Sequence, residues 1–524
     1  MEIKSVIIVV LALVDRSSKD IAYKYLDFET YRLVTPIDPA TIAADLLSRG
    51  FDPLIFDLGT CKDDGINDLT LKLKEFKADA FVVANSILTF GSTFDNEGLN
   101  LFKVARVQNP AMIRILTGTY ATNHPGKSVE EGVCDYSIKG EPELAVGELL
   151  TNLSMDQRKF NIEGLSYRKK DGTTFISNHS TQVDVNKLPI PDYSLVEPSQ
   201  KKVYFEYLEY GKIRYPEKSC KYRDIMTSRG CILDCSFCSV KHLRGGQIHK
   251  KKSVDKIIDE IKKSLDEGIE EIHFFDDLFV ENEKQVLQFA DTLMRENLKF
   301  PWFVAQGFPL WTLTEEGLHA LRETGMYRLI CPFESGDNKV LKKLVGKPTT
   351  REHHEKIVYW ANQLGVEIIG LFVIGMPDET REQLIETVNF AEKHSEIDYA
   401  VFSIATPLIG TRMTKKAVEK GIYEDQGQLN KLIKRTVAMY HTDQFSEVEL
   451  GLIRSYDWDR INFSTQERCE KYAKMVGMDL KQVDLARKTS KEKFNYHFPD
   501  YEGPYSFREI FESGERATIG SLNV

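Results

Sequence analysis

The chain lacks any excess of positive charge: its formal net charge is −10 at pH 7. A phosphate backbone needs a basic face to displace its counterions, so nucleic acid is excluded as a broad partner. Runs of membrane-spanning length are also missing. The apolar stretch from Ser5 to Val14 is about half of the roughly 20 residues that a bilayer crossing takes, and it passes directly into Asp15-Arg16-Ser17-Ser18. It is therefore expected to be neither a span nor a secretory leader, but the buried first strand of a parallel sheet. There is no low-complexity tract and no internal repeat. Cysteine is sparse, with eight in 524 residues, which suits a reducing, cytoplasmic setting where thiols act as ligands or small buried groups. Cys61, Cys134, Cys331 and Cys469 stand apart from one another and read as the latter.

What is present is an ordinary globular balance, 42% apolar and 28% charged, in a chain long enough for two or three domains. From residue 5 to about 152, short apolar runs alternate with amphipathic ones, among them Leu54–Asp57, Ala80–Ala84, Ile113–Leu116 and Tyr136–Ile138 as strands, with Pro39–Arg49, Leu99–Val107 and Glu143–Leu153 as helices. Alternation of this kind predicts an α/β domain over 1–155, an open, doubly wound, Rossmann-like sheet with its ligand beyond the carboxyl ends of the strands. Gly164–Arg168 and Thr173–Ser177 flank Lys170-Asp171-Gly172, a hairpin signal, within a proline-rich connecting segment at 156–222.

A second βα series opens at residue 223. Its strand candidates are Asp224–Ser228, Glu271–Phe275, Trp302–Ala305, Tyr327–Phe333, Glu367–Ile374 and Tyr399–Ile404. The helices between them are expected at Val254–Leu265, Glu283–Arg295, Glu315–Glu323, Glu355–Leu364 and Glu382–Lys393. Six such units predict a partial TIM-like barrel over 223–424, whose chemistry gathers at the carboxyl ends of the strands. Those ends carry Cys231, Cys235, Cys238, Asp276, Asp277, Gln306, Glu334, Ser335, Gly375 and Thr406. Residues 425–524 are mostly helical and aromatic, and are expected to cap the barrel over the substrate.

The strongest single signal is Cys231-Ile-Leu-Asp-Cys235-Ser-Phe-Cys238. Three soft ligands at this density favour zinc or iron–sulfur. Closing a zinc site would require Cys220 or His242 as a fourth ligand, whereas three protein ligands on a four-iron cluster leave one iron open for chemistry.

The motif, with aromatic Phe237 ahead of its last cysteine and a strand before it, resembles that of the radical S-adenosylmethionine (SAM) superfamily. The resemblance implies a [4Fe–4S] cluster on Cys231, Cys235 and Cys238, and reductive cleavage of SAM to a 5′-deoxyadenosyl radical. His273-Phe-Phe-Asp276-Asp277 resembles the element that receives the methionine amino group, although many relatives have Gly-Gly-Glu there. Pro332-Phe-Glu334-Ser335-Gly336 resembles the one beside the ribose or methionine, and Gly370 to Glu379, with Gly375, the one that lines the adenine. Phe237 and Gln306 complete the implied SAM set.

The first domain is similar, more loosely, to the cobalamin-binding domain of one branch of that superfamily. The matching pieces imply cobalamin contacts at Ser86, Gly118, Thr119, Gly140 and Glu141. No Asp-x-His-x-x-Gly occurs, so histidine ligation of cobalt is not expected, and Ser86 to Thr93 is the loop expected to face the metal. The resemblance implies methylation of an unactivated carbon; the alternatives are cyclisation, rearrangement or coupling on the same architecture, or a non-catalytic sensor or carrier. An external donor such as flavodoxin or ferredoxin would supply the electron. The substrate, whether small molecule, lipid or peptide, is not legible.

Overall fold

The computed structural model describes residues 3–11, 35–61, 65–84, 97–157, 159–201, 218–219, 221–422 and 441–518, and the statements below concern these. The first domain is a seven-stranded sheet of order β2-β1-β3-β4-β5-β6-β7. Its strands are β1 Ser5–Val10, β2 Asp52–Asp57, β3 Ala80–Ala84, β4 Ile113–Thr117, β5 Tyr136–Ile138, β6 Leu165–Arg168 and β7 Thr174–Ile176. β1 to β5 are parallel, while β6 and β7 run antiparallel. Val6 to Val9 and all of β3 are buried on both faces, as continuous β-branched and small apolar runs require once helices cover both sides. The Ser5–Val14 stretch thus begins with a core strand, and among the described residues no helix is long and apolar enough to cross a membrane.

The hairpin does not stand between the domains. β6 pairs with β5 and extends the first sheet, which covers an edge that would otherwise present unpaired backbone. The strand order reverses between β1 and β3, the crevice where open α/β sheets take ligands. Ser86 and the rest of the loop expected to face cobalt lie outside the described residues.

The second domain holds two three-stranded parallel sheets, β12-β11-β8 and β13-β14-β15. They comprise β8 Tyr222–Ile225, β11 Glu271–Phe274, β12 Trp302–Val304, β13 Arg328–Glu334, β14 Glu367–Ile374 and β15 Tyr399–Ile404. A lone Trp302–Met326 bridge joins the halves into a partial barrel. The expected first strand is split: β8 ends at Ile225, and Ser228–Gly230 forms a separate short strand, β9, antiparallel to β10, His249–Lys251. Six helices of this domain start on a Ser, Asn or Thr whose side chain accepts from the third backbone N–H: Ser253, Asn282, Thr314, Thr350, Thr380 and Thr411. Such caps, each worth about 1 kcal/mol, set where the helices begin.

Residues 447–513 are mainly helical, as expected, and meet the barrel along its β15 edge. The Asn462 side chain receives the Ala400 N–H (2.7 Å) and donates to the Ala400 carbonyl (2.9 Å), standing in for a neighbouring strand. Leu450 fills the space beside Gly375, where a Cβ would lie 2.6 Å from its Cδ1.

Candidate active site

The cysteine loop is braced before it starts. Gly230 has φ +83°, and a Cβ there would meet the Ile248 carbonyl at 2.1 Å, so only glycine lets β9 lie this close to the chain entering β10. Both aspartates that follow β11 hold this approach. Oδ1 of Asp276 accepts from the Thr227 hydroxyl (3.0 Å), the Ser228 hydroxyl (2.8 Å) and the Ser228 N–H. Oδ2 of Asp277 accepts from the Gly230 N–H (2.8 Å) and from Arg244 Nε (2.9 Å).

Beyond Cys231 the loop is sewn to two more segments. Ser236 N–H donates to the Val345 carbonyl (3.0 Å), and Met413 N–H donates to the Ser236 carbonyl (2.9 Å). Asp234 pairs with Lys241 (3.3 Å) and Arg412 (3.2 Å). Cys231, Cys235 and Cys238 are each half-buried, and burial pushes the thiols up, to about 11 for Cys235 and about 12 for Cys238. Thiols so placed become good ligands only when a metal displaces the proton. His242 is engaged elsewhere, its Nε2 3.1 Å from Asn123 Oδ1. Among the described residues no three His, Cys, Asp or Glu side chains converge as the ligands of one ion would. Three thiols on one loop, each free to take a separate iron, fit a multi-iron cluster with one open position.

The other residues singled out from the sequence occupy the strand ends around this loop. Asp276 is buried, its carboxyl is pushed up to about 7 by that burial, and its Oδ2 has no hydrogen-bond partner. An orphan acceptor at a strand end suits an incoming ammonium group. Glu334 adopts φ +62°, rare for a residue with a side chain, and its Oε1 lies 2.5 Å from Lys347 Nζ. Burial opposes charge on Lys347, but Glu334 and the nearby thiols outweigh it and hold the ammonium above its ordinary value. The Ser335 hydroxyl meets Thr387 at 2.9 Å. Gly375, with φ +80°, donates its N–H to Glu379 (2.7 Å). Phe237 packs on the barrel core, and Gln306 sits half-buried two residues past β12.

Glycine and acid in the first domain have protein partners. Gly118, φ +88°, opens the short helix Thr119–Asn123, in which Thr119 is buried. Gly140 receives support from Thr122 through its N–H (3.0 Å), and its missing Cβ would lie 2.4 Å from the Thr181 carbonyl; its close approach is to this chain's own backbone. Glu141 is fully buried. Burial opposes its charge, yet Arg229, Arg244 and Lys250 hold the carboxyl below its ordinary range.

Sequence reasoning missed the residues that join the two domains here. Arg229, two places before Cys231, is 3% exposed, 3.2 Å from Asp38 and in ionic contact with Glu143. Arg244 bridges Glu141 (3.3 Å) and Asp277 (2.9 Å). Burial, with Asp38 and Glu141 adding to it, pushes Glu143 up to about 7 against the opposing pull of Arg229. The acidic neighbours hold the Arg229 guanidinium above its ordinary value, while burial raises Glu143. No local pattern announces the pairs that cross between the domains: Arg229 lies 191 residues from Asp38, and Arg244 lies 103 from Glu141.

Residues 225–391 match the Radical SAM superfamily pattern. The chain is 30% identical over 381 residues to an uncharacterized methyltransferase of Pyrococcus horikoshii, covering 72% of this chain and 78% of that one. It is 26% identical over 399 residues to a cytidylyl-2-hydroxyethylphosphonate methyltransferase of Streptomyces wedmorensis, covering 70% and 71%. Its fold superposes on the cobalamin-dependent radical SAM enzyme OxsB, solved with aqua-cobalamin and SAM, at a TM-score of 0.66 and 14% identity over 98% of this chain and 75% of the other. With the cysteine loop at the mouth of a partial barrel, these findings define the class: the chain belongs to the radical SAM superfamily. Within it, the pairing of an α/β domain with the barrel is the build seen in the cobalamin-dependent structure.

Proposed function

We propose that this protein is a cobalamin-dependent radical SAM enzyme that methylates an unactivated carbon of its substrate. One observation carries the reading: the cysteine loop is flanked on one side by the barrel's strand ends and on the other by the carboxyl-end loops of the first sheet, through Arg229 and Arg244. A radical source and a second cofactor at the sheet crevice would thus work on one substrate between them. The two methyltransferase relatives support transfer of a methyl group.

In this reading Cys231, Cys235 and Cys238 hold the [4Fe–4S] cluster. Asp276 presents its free Oδ2 to the methionine ammonium of SAM, and Asp277 keeps the loop in place. Glu334 and Ser335 lie beside the ribose, while Gly375, Phe237 and Gln306 border the rest of the molecule. Gly118 and Thr119 border the cobalamin crevice, whereas Gly140 and Glu141 brace it through Thr181 and Arg244. When bound, the cofactors supply a one-electron cleavage of SAM and a transferable methyl group. The protein's own part is to orient, to exclude water and to keep carboxylates aimed at the ammonium of SAM.

The test is a comparison of metabolites from cells with and without this chain, followed by incubation of the anaerobically reconstituted holoenzyme, loaded with hydroxocobalamin, with candidate substrates and methyl-labelled SAM. The expected product exceeds its substrate by one CH2 carrying the label. A product formed without mass gain, alongside 5′-deoxyadenosine, would replace methylation with cyclisation or rearrangement.

A further inference from the structure

We propose that the ammonium of Lys347 sets the reduction potential of the cluster, raising it by countering the charge of the thiolate ligands. The inference rests on the cluster assignment made above and concerns a residue with no part in it.

A lysine side chain 12% exposed is uncommon and has to be partnered, and here the partner is Glu334 at 2.5 Å. The segment that carries Lys347 is strapped to the cysteine loop. Val345 receives the Ser236 N–H, and Lys347 N–H turns back to the Leu341 carbonyl (3.1 Å). Gly346 packs beside the Asp234 carbonyl, where a Cβ would lie 3.7 Å away. The backbone just ahead of Lys347 is therefore held against the cysteine loop at Asp234 and Ser236.

The strap to Ser236, between Cys235 and Cys238, sets the buried Lys347–Glu334 pair beside the loop that carries the three thiols. Adding an electron to a core already held by three thiolates builds up negative charge, and a buried cation nearby lowers that cost because little solvent screens it. Glu334, as an anion, works in the opposite sense. The pair thus gives two substitutions with opposite expected signs.

The measurement is an anaerobic redox titration of the SAM-free reconstituted holoenzyme, with dithionite and mediators delivering single electrons and the reduced cluster read by paramagnetic resonance. At a solution potential equal to the wild-type midpoint, Lys347→Met should lower the ratio of reduced to oxidised cluster about tenfold, a shift of about 59 mV for a one-electron couple. Lys347→Arg should keep the wild-type value, and Glu334→Gln should raise the ratio. Iron and sulfide content would be measured alongside. Lys347→Met with a full cluster and an unchanged midpoint would overturn the inference, as would Lys347→Met and Glu334→Gln moving the potential in the same direction. If Lys347→Met does not fold, Glu334→Gln decides alone, a rise supporting the pair and an unchanged midpoint refuting it. Absence of any cluster in the wild type would instead remove the assignment beneath it.

Discussion

The cysteine loop has two sides, and they are held by different chemistry. Toward the barrel it is fixed by two backbone hydrogen bonds, Ser236 to Val345 and Met413 to Ser236, with the Asp277 carboxylate accepting from the Gly230 N–H beside them. Toward the first domain it is fixed by buried ions, Arg229 with Asp38 and Glu143, and Arg244 with Glu141. Backbone bonds survive most side-chain changes. Buried ion pairs do not, because removing one member leaves the other charge without water or partner. The loop's own shape is thus robust, whereas its alignment to the neighbouring domain depends on a few residues.

The largest expected effect breaks the ionic side. Arg229→Met should destabilise the protein by about 3–5 kcal/mol, since Asp38 and Glu143 lose their cation in a dry interface. Denaturant unfolding would show it, and loss of less than 1 kcal/mol would mean that the interface admits water. On the barrel side, Asp276→Asn should weaken SAM binding about tenfold to a hundredfold, the worth of one charge-assisted bond of roughly 1.5–3 kcal/mol, while the iron content stays intact. Calorimetric titration with SAM would check it; full affinity with a lower Tm would make Asp276 only a clasp for Ser228.

A subtler difference between the sides is their response to pH. Glu143 is pushed from 4.5 to about 7 by burial, so the folded state binds its proton more tightly than the unfolded state does. Its contribution to stability is complete below about 4.5 and is lost as pH rises through about 7. The difference in unfolding free energy between the wild type and Glu143→Gln should therefore fall with pH over that window. A difference that stays flat would show the group ionised throughout. The smallest effect belongs to the exposed rim: Lys241→Ala, whose side chain is 45% exposed opposite Asp234, should cost less than about 1 kcal/mol and leave the cluster in place.

The same contrast explains what could be read from the sequence. β14 and β15 fall on the spans expected for them, as do the helices Glu283–Arg295 and Glu315–Glu323, because apolar runs bounded by caps and turns are local signals. The three cysteines are a local signal too. Where the reading stopped short, the controlling partner was distant. Glu141 looked like a loop acid at a ligand crevice, but Arg244, 103 residues away in sequence, draws it into the interface. Gly140 looked like room for a cofactor, and Thr181 occupies that room. Arg229 and Lys347 carried no pattern at all. The split between β8 and β9 was missed because Asp276 and Asp277 turn the chain at a point that composition alone does not mark.

The central claim is that Cys231, Cys235 and Cys238 hold a cluster that cleaves SAM. Its most direct test is the yield of 5′-deoxyadenosine from SAM and dithionite, under anaerobic conditions, by the reconstituted wild type and by Cys235→Ala. The account predicts steady production by the wild type, with matching iron and sulfide, and none above background by the variant. Production by Cys235→Ala at the wild-type rate would contradict it.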